Sequence, residues 1–138
     1  MKRMIFVNIH VADLTRARAF YTGLGFTVNE QFSDDTAVGL TISEEIHAML
    51  LTADKMKGFL PEGAQICDTD KAHEVLICLS CESREEVDTF VDKALATGGT
   101  SFQDPQDYGF MYGRAMKDPD GHIWEFMYMD MSQMPTES

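Results

Sequence analysis

The sequence is poor in cysteine and in long apolar runs. It has three cysteines in 138 residues, an odd number in a chain long enough to bury a core without covalent cross-links, so a disulfide framework is not expected. No apolar run approaches the roughly 20 residues needed to cross a bilayer, and the first apolar stretch is interrupted too early for a signal peptide. We therefore expect a cytoplasmic protein that does not act on membranes.

Basic residues are also few. Eleven Lys and Arg face 23 Asp and Glu, which gives a formal net charge of −12. A chain of this charge repels a phosphate backbone, so nucleic acid is excluded as an expected partner. Most of the acidic residues fall at turns and helix caps, where carboxylates favour solubility and helix starts rather than ligand chemistry.

Cys78 and Cys81 form a C-x-x-C sequence inside the β-forming run 75–81. Residues three apart on a strand point to opposite faces, so these two thiols are not placed for a zinc knuckle or a redox pair. We interpret both as buried structural thiols.

The first half of the chain has the element order βαβββ. Residues 4–11 alternate as a strand, and Asp13 offers a cap to a helical apolar stripe that ends near Gly23. Strand-like runs follow at 26–32, 36–42 and 46–52. Residues 53–72 show no sustained periodicity, so we assign a first module to 1–60 and a linker to 61–72.

The second half, 73–138, repeats that order. A strand at 75–81 precedes a helix that begins with a capping box at Ser83 and ends at Gly98. Strand candidates follow at 100–103, 110–116 and 122–129. Neither module can bury its sheet face alone. We therefore predict an α+β fold in which paired βαβββ modules form an open, curved eight-stranded sheet around a trough, with helices on the outer face.

Two stretches of sequence carry a family resemblance. Residues 11–26 read VADLTRARAFYTGLGF, and residues 118–125 read DPDGHIWE. With the modules, they resemble the vicinal oxygen chelate superfamily, which includes glyoxalase I, extradiol dioxygenases and the bleomycin and fosfomycin resistance proteins. The run YGFMYGR at 108–114 is most similar to bacterial proteins related to lactoylglutathione lyase. The resemblance implies the fold more than one reaction, since this fold hosts many chemistries.

The resemblance also implies a divalent metal such as Zn, Ni, Mn or Fe, held by the first and last strands of each module. Glu125 matches the last ligand position, whereas Phe6 and Leu76 occupy first-strand positions and cannot bind a metal. His47 falls near the remaining position. Two alternatives stay open: a displaced site of Glu125, His47 and His10, or no metal at the usual site, which we favour because so few ligands remain.

Glu125 is the candidate catalytic residue. It shares a strand face with apolar residues such as Met127, an unusual place for a carboxylate and one that suits a general base acting beside a carbonyl. The alternative is a structural Glu125, paired with Arg114 or hydrogen-bonded to Tyr112 or Asn8.

The expected ligand-binding residues line the trough. They are Phe6, Asn8, His10, Tyr112, Arg114 and Met127. The register of the strand at 110–116 stays open: either Met111, Gly113 and Ala115 or Phe110, Tyr112, Arg114 and Met116 face the trough.

Two functions follow from these residues. The first is a glyoxalase-related protein that binds a small molecule in the trough and acts as a lyase or isomerase through proton transfer by Glu125. The second is a metal-free protein that sequesters a ligand, as bleomycin resistance proteins do. An extradiol dioxygenase is the least supported reading, because it needs an intact set of two histidines and one glutamate. In each case we expect a homodimer, from the resemblance and from the edge strands of open sheets.

Overall fold

The structure, a computed structural model, describes residues 1–133. The chain forms two compact units, Met1–Ala72 and a second that begins at His73. Each unit contains one open four-stranded sheet and at least one helix. The predicted α+β class is confirmed, and the boundary between the units falls at the end of the stretch assigned as a linker.

The first unit contains four strands and two helices. They are β1 Ile5–His10, α1 Leu14–Gly23, β2 Thr27–Asn29, β3 Ala37–Thr41, β4 Ile46–Leu51 and α2 Ala53–Phe59. The strand order across the sheet is β1-β4-β3-β2, with β1 parallel to β4 and the other neighbours antiparallel.

The second unit repeats the βαβββ order. Its elements are β5 Ile77–Cys81, α3 Arg84–Ala96, β6 Gln106–Asp107, β7 Met111–Lys117 and β8 Ile123–Met129. The order across the sheet is β5-β8-β7-β6, again with one parallel pair, β5 and β8. The predicted repetition of βαβββ is confirmed.

The two longer helices begin at the caps indicated by the sequence. The Asp13 carboxylate accepts a hydrogen bond from the Arg16 backbone N–H at 3.1 Å, and the Ser83 hydroxyl accepts one from the Glu86 N–H at 3.0 Å. These contacts satisfy N–H groups that a first helical turn otherwise leaves unpaired. Within residues 1–133, no helix has the length and apolarity needed to cross a membrane.

The core of the second unit lies between α3 and one face of its sheet. Trp124 and Phe126 of β8 are fully buried, and the Phe126 ring stacks on Phe90 of α3 with 4.9 Å between ring centroids. Alternation along β8 places these aromatic residues on the helix side, so the intervening residues face the other way. That second face of the sheet is where the candidate site lies.

The prediction of a strand at 100–103 is wrong. Only Thr100 forms a bridge, with Lys117, and the edge strand of the sheet is Gln106–Asp107 instead. Pro105 accounts for the shift, because it has no N–H to donate to a ladder and separates the β-forming residues before it from the segment that does pair.

Two elements of the first unit also differ from prediction. Residues 26–32 form only the short strand β2, followed by a 3-10 turn at Glu30–Phe32. Helix α2 occupies part of the stretch assigned no regular structure, and it begins where the Thr52 hydroxyl accepts a hydrogen bond from the Lys55 N–H at 3.3 Å. Seven residues are too few for a helical periodicity to stand out in the sequence.

The aromatic core gives a stability prediction. Phe126→Ala should lower the free energy of unfolding by about 3–5 kcal/mol, because it leaves a cavity beneath α3. Leu76→Ala, at a position where the side chain is 57% exposed, should change it by less than about 0.5 kcal/mol. Urea unfolding followed by circular dichroism measures both, and equal effects would contradict the assigned core.

Candidate functional site

The face of the second sheet that points away from α3 carries a pocket of about 160 Å³. Its walls come from β5, β7, β8 and the segment 103–108. The lining residues are Cys78, Gln103, Gln106, Tyr108, Met111, Gly113, Arg114, Ala115, Glu125, Phe126 and Met127. Glu125 and Met127, both expected from the sequence, therefore lie in one pocket.

Strand register sets the position of Glu125 in this pocket. Cys78 of β5 lies beside it on one side, and Ala115 of β7 lies beside it on the other. Gly113 and Met127 form the next pair along the same face. Of the two alternatives left open for β7, the structure shows the one in which Met111, Gly113 and Ala115 share a face with Glu125.

Cys78 is the direct neighbour of the Glu125 carboxylate. Partial burial raises the pKa of the Cys78 thiol, and the charge of Glu125 together with a hydrogen bond to its carboxylate raises it further. The prediction that both thiols of the C-x-x-C sequence are buried is wrong for Cys78, which is exposed, and is confirmed for Cys81. Strand alternation does place the two on opposite faces, with Cys81 on the helix side.

Tyr112 and Arg114 occupy the opposite face of β7. The Tyr112 hydroxyl donates a hydrogen bond to Asp88 of α3 at 2.7 Å. The Arg114 guanidinium donates to Asp88 and to Asp92, each at 3.0 Å. The Tyr112 hydrogen bond and, to a lesser degree, Arg114 hold the pKa of the Asp88 carboxyl below its usual range. Arg114 borders the pocket, but its charge is paired on the helix side and not with Glu125.

The rim of the pocket is a short chain of hydrogen bonds. The Tyr108 hydroxyl donates to the Gln106 side-chain oxygen at 3.0 Å, and the Gln106 side-chain nitrogen donates to the Asp104 carbonyl at 3.2 Å. The Tyr108 hydroxyl and one N–H of the Gln106 amide are thus used within the rim.

Arg84 of α3 fixes the same rim segment. It donates two hydrogen bonds to the Asp107 carboxylate, at 2.8 and 3.1 Å, and a third to the Gly109 carbonyl at 3.0 Å. The hydrogen bond from Arg84 is the main reason that the pKa of Asp107 falls to about 2. This bidentate ion pair holds the segment that carries Gln106 and Tyr108 against the start of α3.

The sequence did not indicate the rim residues or Cys78 as parts of a site. The parallel pairing of first and last strands in a βαβββ module is the one signal that would have placed Cys78 beside Glu125. Gln106 lies in β6 and Tyr108 follows it, and a strand of two residues is too short to show an alternation in the sequence.

The first unit carries the remaining expected residues. Phe6, Asn8 and His10 share one face of β1, and Phe6 lies beside His47 of β4. The Phe6 and His47 rings stack with 4.8 Å between centroids, and the His47 Nε2 atom lies 3.2 Å from the Glu44 carbonyl oxygen. His47 is buried in this contact.

The donor set does not fit a resident divalent metal. Within residues 1–133, no group of three or more His, Cys, Asp or Glu side chains that could hold a metal ion is found. The pair of Cys78 and Glu125 supplies two donors, whereas catalytic zinc sites use three protein ligands and structural ones use four.

Comparison with known proteins decides the family. The model of the Glyoxalase/Bleomycin resistance protein/Dioxygenase superfamily matches residues 3–126. The chain belongs to this superfamily. The resemblance drawn from its motifs is therefore confirmed, while comparison with curated proteins gives no significant match.

Several solved structures share the fold over nearly the whole chain. A hypothetical protein from S. aureus is 32% identical, with a TM-score of 0.76 over 93% of this chain and 95% of that one. A family enzyme from Burkholderia phytofirmans is 19% identical, with a TM-score of 0.72 over 93% and 99%. A lactoylglutathione lyase from Agrobacterium tumefaciens is 14% identical, with a TM-score of 0.68 over 97% and 98%. The last two likenesses show the fold alone.

The contact between Cys78 and Glu125 gives a labelling prediction. The raised pKa keeps the Cys78 thiol protonated at neutral pH, so its reaction with iodoacetamide should be slow at pH 7. The reaction should accelerate only above pH 9, because 9.0 is the ordinary pKa of a cysteine thiol and that of Cys78 is higher. Glu125→Gln removes the nearby negative charge, lowers the pKa of Cys78 and should speed alkylation roughly two- to fivefold at pH 8.

Mass spectrometry of the Cys78 peptide measures these rates. Glu62→Gln, the same change of charge at an exposed residue of the first unit, serves as the control and should leave the rate unchanged. Equal rates in the wild type and in Glu125→Gln would contradict the contact.

Proposed function

We propose that this superfamily member binds a small organic molecule in the pocket around Glu125, without a resident metal ion, and that Glu125 orients the bound molecule. One observation carries the proposal: a half-buried carboxylate lies on a largely apolar pocket wall, beside Cys78 in the strand pair and outside any group of metal ligands found among residues 1–133.

The pocket has the composition of a small-molecule site. Met111, Met127 and Ala115 supply apolar surface, and Glu125 supplies one strong acceptor. Ligand sites are mostly apolar with a few placed polar groups, and methionine side chains re-pack around varied apolar partners. A volume of about 160 Å³ is below the roughly 300–1,000 Å³ of drug-sized sites, so it suits a compact ligand or one end of a larger one.

Proton transfer by Glu125, as a lyase or isomerase, is the second candidate. Apolar side chains around Glu125 favour this candidate. A general base removes a proton from a carbon atom more effectively where water does not compete for the carboxylate. An enediolate also needs stabilisation by aimed donors or a cation. Arg114 is paired with α3, and the Tyr108 hydroxyl and one of the two Gln106 N–H groups are used in the rim. These contacts favour ligand binding over catalysis.

Homodimer formation and a cytoplasmic location stay predictions. The supporting feature for the dimer is β1, an edge strand of its sheet on which Ile5 is 54% and Phe6 is 42% exposed. Exposed apolar side chains on an edge strand are typical of surfaces that associate.

Nuclear magnetic resonance with a panel of small neutral fragments, such as benzyl alcohol, phenol and indole, tests the proposed function. Shifted backbone amides should cluster in β5, β7, β8 and residues 103–108. Gly113→Leu should weaken fragment binding at least about tenfold, because its side chain fills the pocket. A Cβ at position 113 lies 3.5 Å from the Phe126 carbonyl oxygen and 4.0 Å from Met127 carbon atoms, so the strand accepts the substitution.

Gly113→Ala is the matched control. It adds only the tolerated Cβ and should keep most of the affinity, and both variants should unfold at temperatures close to that of the wild type. Amide shifts that lie elsewhere, or that persist unchanged in Gly113→Leu, would contradict the proposed site.

A further inference from the structure

We propose that the pocket selects organic cations, meaning a protonated amine joined to a compact apolar group, and that it rejects anions. This inference rests on the proposed function and adds the charge class of the ligand. It follows from where the charged groups around the pocket point and from which hydrogen-bonding groups are already used.

The charge inside the pocket comes from Glu125. Among the described residues that line it, Arg114 is the other one with a charged side chain at neutral pH. Its guanidinium is bound to Asp88 and Asp92 on the helix side of the sheet, with the side chain only 18% exposed. Because β7 and β8 alternate, this positive charge and the Glu125 carboxylate lie on opposite faces.

Two further cations do not line the pocket. The Arg84 guanidinium forms its ion pair with Asp107 at 2.8 Å. The Lys117 ammonium lies over the Phe102 ring, 5.7 Å from its centroid. The structure therefore gives Glu125 no pairing with either side chain, and a ligand can supply the missing positive charge.

The charged hydrogen-bonding group left in the pocket is an acceptor, the Glu125 carboxylate, and the side-chain amides of Gln103 and Gln106 add neutral groups. Tyr108 donates to Gln106, and Gln106 donates to a backbone carbonyl. The Cys78 thiol, which lies beside Glu125 in the strand pair, is a weak donor. An ionised carboxylate has about four acceptor sites, so the thiol leaves most of them for N–H groups of a ligand.

The rest of the wall selects an organic cation over a small hydrated ion. Met111, Met127 and Ala115 offer apolar surface that an alkyl or aromatic group can cover. A charge-assisted hydrogen bond from an ammonium to the carboxylate is about twice as strong as a neutral one. A ligand with its own carboxylates, such as a glutathione conjugate, would instead place like charges together.

Three probes that share a phenyl ring test this selectivity at pH 7: benzylammonium, benzyl alcohol and benzoate. Titrations followed by nuclear magnetic resonance should show benzylammonium binding about tenfold more tightly than benzyl alcohol, with benzoate weakest. Glu125→Gln should bring benzylammonium and benzyl alcohol to within about twofold of each other. Glu62→Gln changes the net charge equally and should leave the tenfold preference intact.

The outcomes separate this inference from the function on which it rests. Benzyl alcohol or benzoate binding in the pocket as tightly as benzylammonium would overturn the charge preference and leave ligand binding standing. A preference for benzylammonium that survives Glu125→Gln would reflect the diffuse charge of an acidic chain and would also overturn it. The absence of pocket shifts with all three probes would count against both.

Discussion

The contact of Arg114 with Asp88 and Asp92 holds the positive charge of the guanidinium on the helix side of the sheet, away from the face that carries Glu125. Arg114 and Ala115 are neighbours on β7, and Ala115 pairs with Glu125, so a reversal of the alternation would have placed the guanidinium beside the carboxylate. Instead α3 presents two carboxylates to Arg114 and draws its charge to the core side. Glu125 is left on an open, largely apolar face with a neutral thiol as its neighbour.

This separation concerns a strand position to which the family resemblance assigns a metal ligand. The superfamily supplies paired βαβββ modules, and a carboxylate stands at the last-strand position that the resemblance assigns to a metal ligand. The first-strand position holds Phe6, whose ring stacks on His47. An imidazole buried against a phenyl ring and placed beside the Glu44 carbonyl serves packing in the first unit. The Glu125 carboxylate and the few metal donors around it are the basis of the proposal that an organic ligand binds there.

Much of the fold could be predicted from the sequence because two periodicities are strong. Alternation in the β1 region, helical stripes after Asp13 and Ser83, and the repeated order of elements gave the α+β class and the positions of the major elements. Errors arose where local signals were weak or interrupted. Pro105 displaced the edge strand, and α2 was too short to show a period.

The site was less predictable than the fold for a related reason. Glu125 and Met127 could be identified because alternation along one strand fixes which residues share a face. The neighbours of Glu125 depend on the register between strands, which the sequence left open for β7 and which brought Cys78 to the pocket. A shift of one residue exchanges the two faces of a strand, so it decides whether Arg114 or Ala115 stands beside Glu125.

Calorimetric titration of the purified protein with Zn²⁺ and Ni²⁺, followed by dialysis and elemental analysis, tests most directly whether Glu125 serves an organic ligand or a metal. With two donors from Cys78 and Glu125, the expected result is no stoichiometric ion retained after dialysis, and the same behaviour in Glu125→Gln and Glu62→Gln. One tightly held ion per chain that is lost in Glu125→Gln and kept in Glu62→Gln would contradict the metal-free site.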